Sequence, residues 1–382
     1  MVAVAGEETE QGRTISDVWE ACSKSAPGFD FMRIALAIAV LISHSFNTTM
    51  PDAAIKSFMA GPANGMVTFI LPMFFCLSGF LVTSSLERVC SVWVFAGHRA
   101  IRIIPALAAE VLLSAFILGP LVTTVPLQAY FTDPHFYSYI GNVIGRIRFV
   151  LPGVFTNNPM PNTVNLSLWT VPYELDCYVV LLVLIATTAI RSRKFILLLV
   201  FGLAGLKFVL PFFVDPLSFI GGYVIEQPGN PYSGYTLVLS FLVGVSAFLW
   251  RDKIYLKAWA ASLCAVAFVF LSQSRLTAPI VPFVLGYLTV YIGMTHMPKL
   301  PFFSTGDYSY GVYLYAFPIQ QTFAYAFPHL RIWWLSAAFT IVAATAVASA
   351  SWHLIERPSL KLRRRFTGDG LFAFKVVRPV LR

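Results

Sequence analysis

Ten apolar stretches dominate the chain, near 31–50, 65–85, 100–120, 168–190, 195–213, 235–250, 256–273, 276–293, 309–328 and 332–354. Runs of this length cross the hydrocarbon core of a bilayer as helices. The sixth and seventh are short and fit a tilted or thinly covered crossing. None alternates in the manner of outer-membrane barrel strands. With 57% of 382 residues hydrophobic and 12% charged, the chain is too apolar for a soluble domain. The expected fold is an all-α integral membrane protein of about ten transmembrane helices. It divides into an N-terminal tail (1–30), a membrane domain (31–356) and a basic C-terminal tail (357–382).

Charge placement orients these helices. With the N-terminus in the cytoplasm, 21 of the 27 Lys and Arg residues fall on the inside segments, among them Arg33, Arg88, Arg99, Arg102, RSRK at 191–194, RDKIYLK at 251–257, Lys299 and the tail. The outside holds Lys56, Arg146, Arg148, Arg275 and Arg331, and Lys207 lies within a span. By the positive-inside rule both termini are cytoplasmic. The net charge of +9 then reports topology and contact with anionic headgroups, not nucleic-acid binding. The polar, acidic start (GEETEQ) gives no expectation of a cleavable signal peptide. Cys22, Cys76, Cys90, Cys177 and Cys264 show no CxxC spacing, so neither a disulfide framework nor a metal site is expected.

Within the first span, Arg33 and His44 are eleven helical steps apart, which returns them to nearly one face about 16 Å apart along the axis. Two readings fit. Either they line a reaction centre or pathway, or Arg33 snorkels to the interface while His44 bonds a neighbouring helix. HRAIRIIP sets His98, Arg99 and Arg102 at the cytoplasmic start of the third span, with the two arginines on one face. That suits a phosphate at a helix N-terminus, and it equally suits the positive-inside rule. In SLWTVPYELDCY, Glu174 and Asp176 follow Pro172 near the outer surface. There they complement the helix dipole, or Glu174 orients His44 from a neighbouring helix. The long segments 121–167 and 214–234, rich in Pro, Asn and aromatics, suit a carbohydrate, whose CH faces pack on rings. Most of their individual Tyr and Phe residues fit an interfacial belt.

Taken in order, the Arg33/His44 helix, FFCLSGFLVTSSL (74–86), HRAIRIIP (98–105), SLWTVPYEL (167–175), DYSYGVYLYAFPI (307–319) and HLIERPSLKL (353–362) resemble the membrane acyltransferase 3 family. The resemblance covers nearly the whole chain. It implies a bacterial inner-membrane enzyme that moves an acyl group, commonly acetyl, from cytoplasmic acyl-CoA to a hydroxyl of a cell-surface or secreted saccharide such as an exopolysaccharide or O-antigen. Carried over, the family's first-helix pair falls on Arg33 and His44, its paired arginines on Arg99 and Arg102, and its fourth-helix acid on Glu174. Where many relatives have a histidine, this chain has Ala316, and no catalytic role is expected there. No separate C-terminal hydrolase-like domain is expected either.

The chemistry implied is O-acylation from a thioester. It needs a base for the hydroxyl proton and a donor for the oxyanion. His44 is the one histidine in a predicted span interior and is assigned the base, with Arg33 and Glu174 beside it. The phosphates of acetyl-CoA, or of another acyl-CoA, are assigned to Arg99, Arg102 and His98, with no metal. Direct transfer and an acyl-enzyme relay both satisfy this arrangement. The expected partners are acyl-CoA, a saccharide or lipid-linked saccharide acceptor, and membrane lipids. The rival is a transporter or flippase of a lipid-linked saccharide, which would also carry ten spans and a few intramembrane charges.

Overall fold

The computed structural model describes residues 12–24, 26–61, 65–87, 91–209, 234–274, 277–297 and 306–362. The expectations placed on Arg88, Cys90, Arg275, Lys299, most of the 214–234 loop and the tail beyond 362 lie outside the described residues.

Each of the ten apolar runs carries a helix. These are α1 (Pro27–Thr49), α2 (Ile70–Ser85), α3 (Val92–Leu113), α4 (Val171–Ala186), α5 (Arg193–Val209), α6 (Gly234–Leu249), α7 (Ala258–Leu271), α8 (Val281–Met294), α9 (Ser309–Ala326) and α10 (Trp333–Ser351). Among the described residues the one extended pairing is an isolated bridge between Thr14 and Tyr255. Among the described residues four helical stretches are long and apolar enough to cross a membrane: Gly28–Thr49, Val92–Val122, Leu166–Ala186 and Trp333–Lys361. Ile70–Ser85, Gly234–Leu249, Ala258–Leu271 and Val281–Met294 are shorter apolar helices. The sixth and seventh runs are short in space as in sequence.

Sequence chemistry explains the helix ends. Ser91 caps α3 by accepting from the Trp93 N–H, and Pro172 opens the first turn of α4, where its missing N–H costs nothing. Both α3 and α10 run on through a π-helical turn, Ser114–Leu118 and Trp352–Glu356. The extra residue in such a turn re-aims the side chains beyond it. In α10 it delivers Glu356 to the interior, where it is 2% exposed.

α2 and α6 cross at backbone contact. A Cβ on Gly79 would stand 2.0 Å from the Phe241 carbonyl oxygen, and one on Gly244 would stand 2.0 Å from that of Cys76. The LSGF glycine is therefore a packing requirement of the kind that small residues meet between apolar helices.

Two ends of the bundle differ in chemistry. At one, ion pairs tie the connections together: Lys24 to Glu87 (3.4 Å), Arg251 to Glu87 (2.7 Å) and Arg193 to Asp252 (3.0 Å). This is the basic end. At the other, residues 123–165 fold into a cap with two short helices, Leu127–Thr132 and Pro134–Ile140. Tyr130 donates to the Ala115 carbonyl at 2.7 Å, and Gln321 of α9 donates to the carbonyls of Met160 and Thr163 at 2.8 and 2.6 Å. The long segment is thus folded structure fixed onto α3 and α9.

Candidate active site

Four motif residues from four helical segments meet at the basic end. The Asp307 carboxylate, just before α9, accepts from Arg102 at 2.6 Å, from Arg33 at 3.4 Å and from the Ser309 hydroxyl at 2.6 Å. Arg102 also reaches Glu356 at 3.3 Å and lies over the rings of Tyr310 and Trp352. Arg33 also reaches Asp30, one turn back on α1, at 3.2 Å, so two guanidiniums stand among three carboxylates, and each charge keeps an opposite partner in a medium of low dielectric. Burial opposes the ionisation of Asp307, but the Arg102 and Arg33 guanidiniums outweigh it and hold the carboxyl at about 2.

Arg99 differs from its motif partner. It stands over the Phe95 and Tyr178 rings at 5.7 and 6.0 Å, and its Nε is buried with no hydrogen bond among the described residues. Arg99, Arg102 and Arg33 all line a cavity of about 420 Å³ that runs inward past Glu174 and Tyr178 to Thr170 and Tyr313. His98 is not one of its lining residues. Glu174 accepts from the Tyr178 hydroxyl at 2.6 Å and feels the charges of Arg102 and Arg99.

His44 lies beyond the inner wall of this cavity. It is 8% exposed, with its ring set edge-on to Phe317 at 5.2 Å. Its Nδ1 meets the Ser167 hydroxyl at 3.3 Å. Ser167 is itself fixed on both sides. Its N–H donates to Asn165 Oδ1 at 3.1 Å and its carbonyl accepts from Tyr313 at 2.7 Å. A neutral imidazole that donates from Nδ1 keeps the Nε2 lone pair, which is what a general base requires.

The structure brings Arg33, Arg99, Arg102 and Glu174 to one cavity and leaves His44 outside its lining, behind Tyr313 and Ser167. It does not pair Glu174 with His44: the partner is Ser167, because the short turn Leu166–Thr170 ahead of α4 faces α1 while Glu174 turns toward α3. Sequence reasoning gave no role to Ser167, Tyr313, Asp307 or Glu356, although each lies inside a quoted motif. For the two acids a signal existed, since arginines near membrane depth call for carboxylates nearby. Among the described residues no group of three His, Cys, Asp or Glu stands close enough together to hold a metal ion.

This geometry describes a bundle of apolar helices with an arginine-lined cavity and a buried histidine behind its inner wall. The model of the acyltransferase domain family matches residues 27–353, and the chain belongs to that family, acyltransferase 3. It is similar to an O-acetyl transferase of Shigella phage Sf6, 27% identical over 86% of this chain and 94% of the relative. It is also similar to nodulation protein 10 of Rhizobium leguminosarum bv. viciae, 30% identical over 88% of this chain and 93% of that one. No solved structure matches it. The protein is an acyltransferase.

Proposed function

We propose that the enzyme transfers acetyl, or another acyl group, from acyl-CoA to a hydroxyl of a cell-surface or secreted saccharide, with His44 as general base. The observation that carries this reading is the His44–Ser167 pair behind the inner wall of a cavity whose opposite end bears Arg99. The name of the phage relative, an O-acetyl transferase, supports acetyl as the group and oxygen as the acceptor.

In this reading the donor's phosphates rest on Arg99, with Arg102 and His98 adding positive potential, and the thioester arm lies along the cavity toward Tyr313. His44 Nε2 takes the hydroxyl proton as the saccharide oxygen attacks the thioester carbonyl. The C–S bond then breaks and the imidazolium returns the proton to the departing thiolate. Arg33 sets the field along α1, and Glu174 fixes Tyr178, on whose ring Arg99 rests, in the cavity wall. The membrane domain 31–356 crosses the bacterial inner membrane ten times, with tails 1–30 and 357–382 in the cytoplasm, so the donor enters at the basic end.

The test is saccharide acylation by the purified full chain. His44→Ala should lower it by about 10² or more at an unchanged melting temperature, because general-base catalysis is typically worth 10²–10⁴. Normal specific activity in folded His44→Ala protein would sink the mechanism.

A further inference from the structure

The cavity and His44 do not join. Thr170 and Tyr313 line the cavity, whereas His44 and its partner Ser167 do not. What separates them is a closed set of hydrogen bonds. The Tyr313 hydroxyl donates to the Ser167 carbonyl at 2.7 Å and shares a 2.6 Å bond with Thr170 Oγ1. With Tyr313 donating to Ser167, Thr170 is left to donate to Tyr313, so neither hydroxyl has a proton to spare. Phe74 leans on the Tyr313 ring at 6.2 Å, and Phe317, one turn further along α9, carries the His44 ring. The wall of the cavity and the support of the histidine are therefore one face of one helix.

We infer that Tyr313, latched by Thr170 and Ser167, is the residue that decides where the acyl group goes: it keeps the His44 side of the wall free of cavity water before the donor binds, so that no water is in place there when an acyl thioester displaces the latch. The inference rests on the reading of His44 as base and of the cavity as the donor site. The carbonyl and amide groups of a thioester arm can take over the two hydrogen bonds that the latch gives up. Bulk water reaching the imidazole instead would make the enzyme a hydrolase. A water oxygen would add to the thioester carbonyl, the C–S bond would break, and the products would be the free carboxylate, the thiol and one proton. Base catalysis serves both acceptors equally, so access alone discriminates between them.

The experiment uses the full chain in lipid nanodiscs with radiolabelled acetyl-CoA and no saccharide, and measures free acetate. Tyr313→Phe keeps the ring and deletes both latch bonds, and should raise acetate release by up to about a hundredfold, the factor that two net hydrogen bonds support. Thr170→Val, which removes one bond, should give a smaller rise and serves where Tyr313→Phe folds poorly. The double variant His44→Ala/Tyr313→Phe should return to the wild-type background. Acetate release no higher than wild type in either single variant, at an unchanged melting temperature, overturns the inference, as does a rise that persists in the double variant. Failure of the underlying reading shows separately: His44→Ala alone would then still acylate saccharide.

Discussion

At the scale of single residues, the two arginines of HRAIRIIP have different work to do. Arg102 is paired with Asp307 and Glu356, whereas Arg99 rests on aromatic rings with its Nε unbonded among the described residues. Arg99→Ala should therefore raise the KM for acetyl-CoA and leave the melting temperature near wild type, since a charged hydrogen bond to phosphate is worth roughly 1.5–3 kcal/mol. Arg102→Ala should do the reverse. It strands Glu356, which is 2% exposed, and losing one partner of a buried pair costs about 3–5 kcal/mol, read as a fall in melting temperature. Equal KM effects from both variants would mean that the motif acts as a unit. Asp307 adds a dependence on pH. Its folded pKa, about 2, is depressed, so the stability it contributes is complete above the usual carboxylate range and is lost as pH falls through that range toward 2. Melting curves of Asp307→Asn should be less stable than wild type at neutral pH and flatter with acidification between about pH 4.5 and 2. A parallel decline in the two proteins would remove Asp307 from the acid response. The pairing itself was out of reach of the sequence. Helical phase fixes which face a residue occupies, but not which helix will stand opposite, so sequence leaves open whether Glu174 meets His44 or only the helix dipole, and in the structure the partner of His44 is Ser167.

At the scale of elements, the ten helices were legible because a long apolar run satisfies its own N–H and C=O groups most simply as a helix. Their interruptions were not. The π turns at Ser114–Leu118 and Trp352–Glu356 follow from packing among distant segments, and the second of them is what carries Glu356 to Arg102. The glycine of LSGF was legible as a motif but not as a reason. Its reason is the backbone contact between α2 and α6. The same substitution should therefore have opposite outcomes at two apolar helices. Gly79→Ala forces a methyl into the Phe241 carbonyl and should cost about 1–3 kcal/mol, lowering melting temperature and membrane abundance. Gly202→Ala in α5 meets nothing within 4 Å and should change stability by no more than about 0.5 kcal/mol, with helix propensity in its favour. Equal tolerance of both would mean that α2 and α6 are not in contact in the membrane.

At the scale of the whole molecule, orientation follows from which charges share an end. Lys24 of the N-terminal segment, Glu87 after α2, Arg193 at the start of α5, and Arg251 and Asp252 after α6 are joined by ion pairs, so these four segments lie on one side of the bundle. Arg33, Arg102, Asp307 and Glu356 mark the same end from within the helices. The far side carries the folded cap of residues 123–165, with Asn158 donating to Gln321 at 2.8 Å. In the proposed reading the enzyme draws acyl-CoA from the cytoplasm and needs its cationic cavity on the basic side, which the positive-inside rule puts in the cytoplasm. Donor chemistry and insertion thus demand the same orientation. In a cysteine-free variant, single cysteines at the exposed positions Ser192 and Lys361 should then be protected from a membrane-impermeant thiol reagent in intact cells and should react once the membrane is opened. Cysteines at Gln128 and Thr156, exposed on the cap, should react in both conditions. Asn158 would be a poor reporter, because it is 6% exposed against α9. Labelling of Ser192→Cys in intact cells would put the cavity mouth on the outside, and acyl-CoA, confined to the cytoplasm, could then not be the donor.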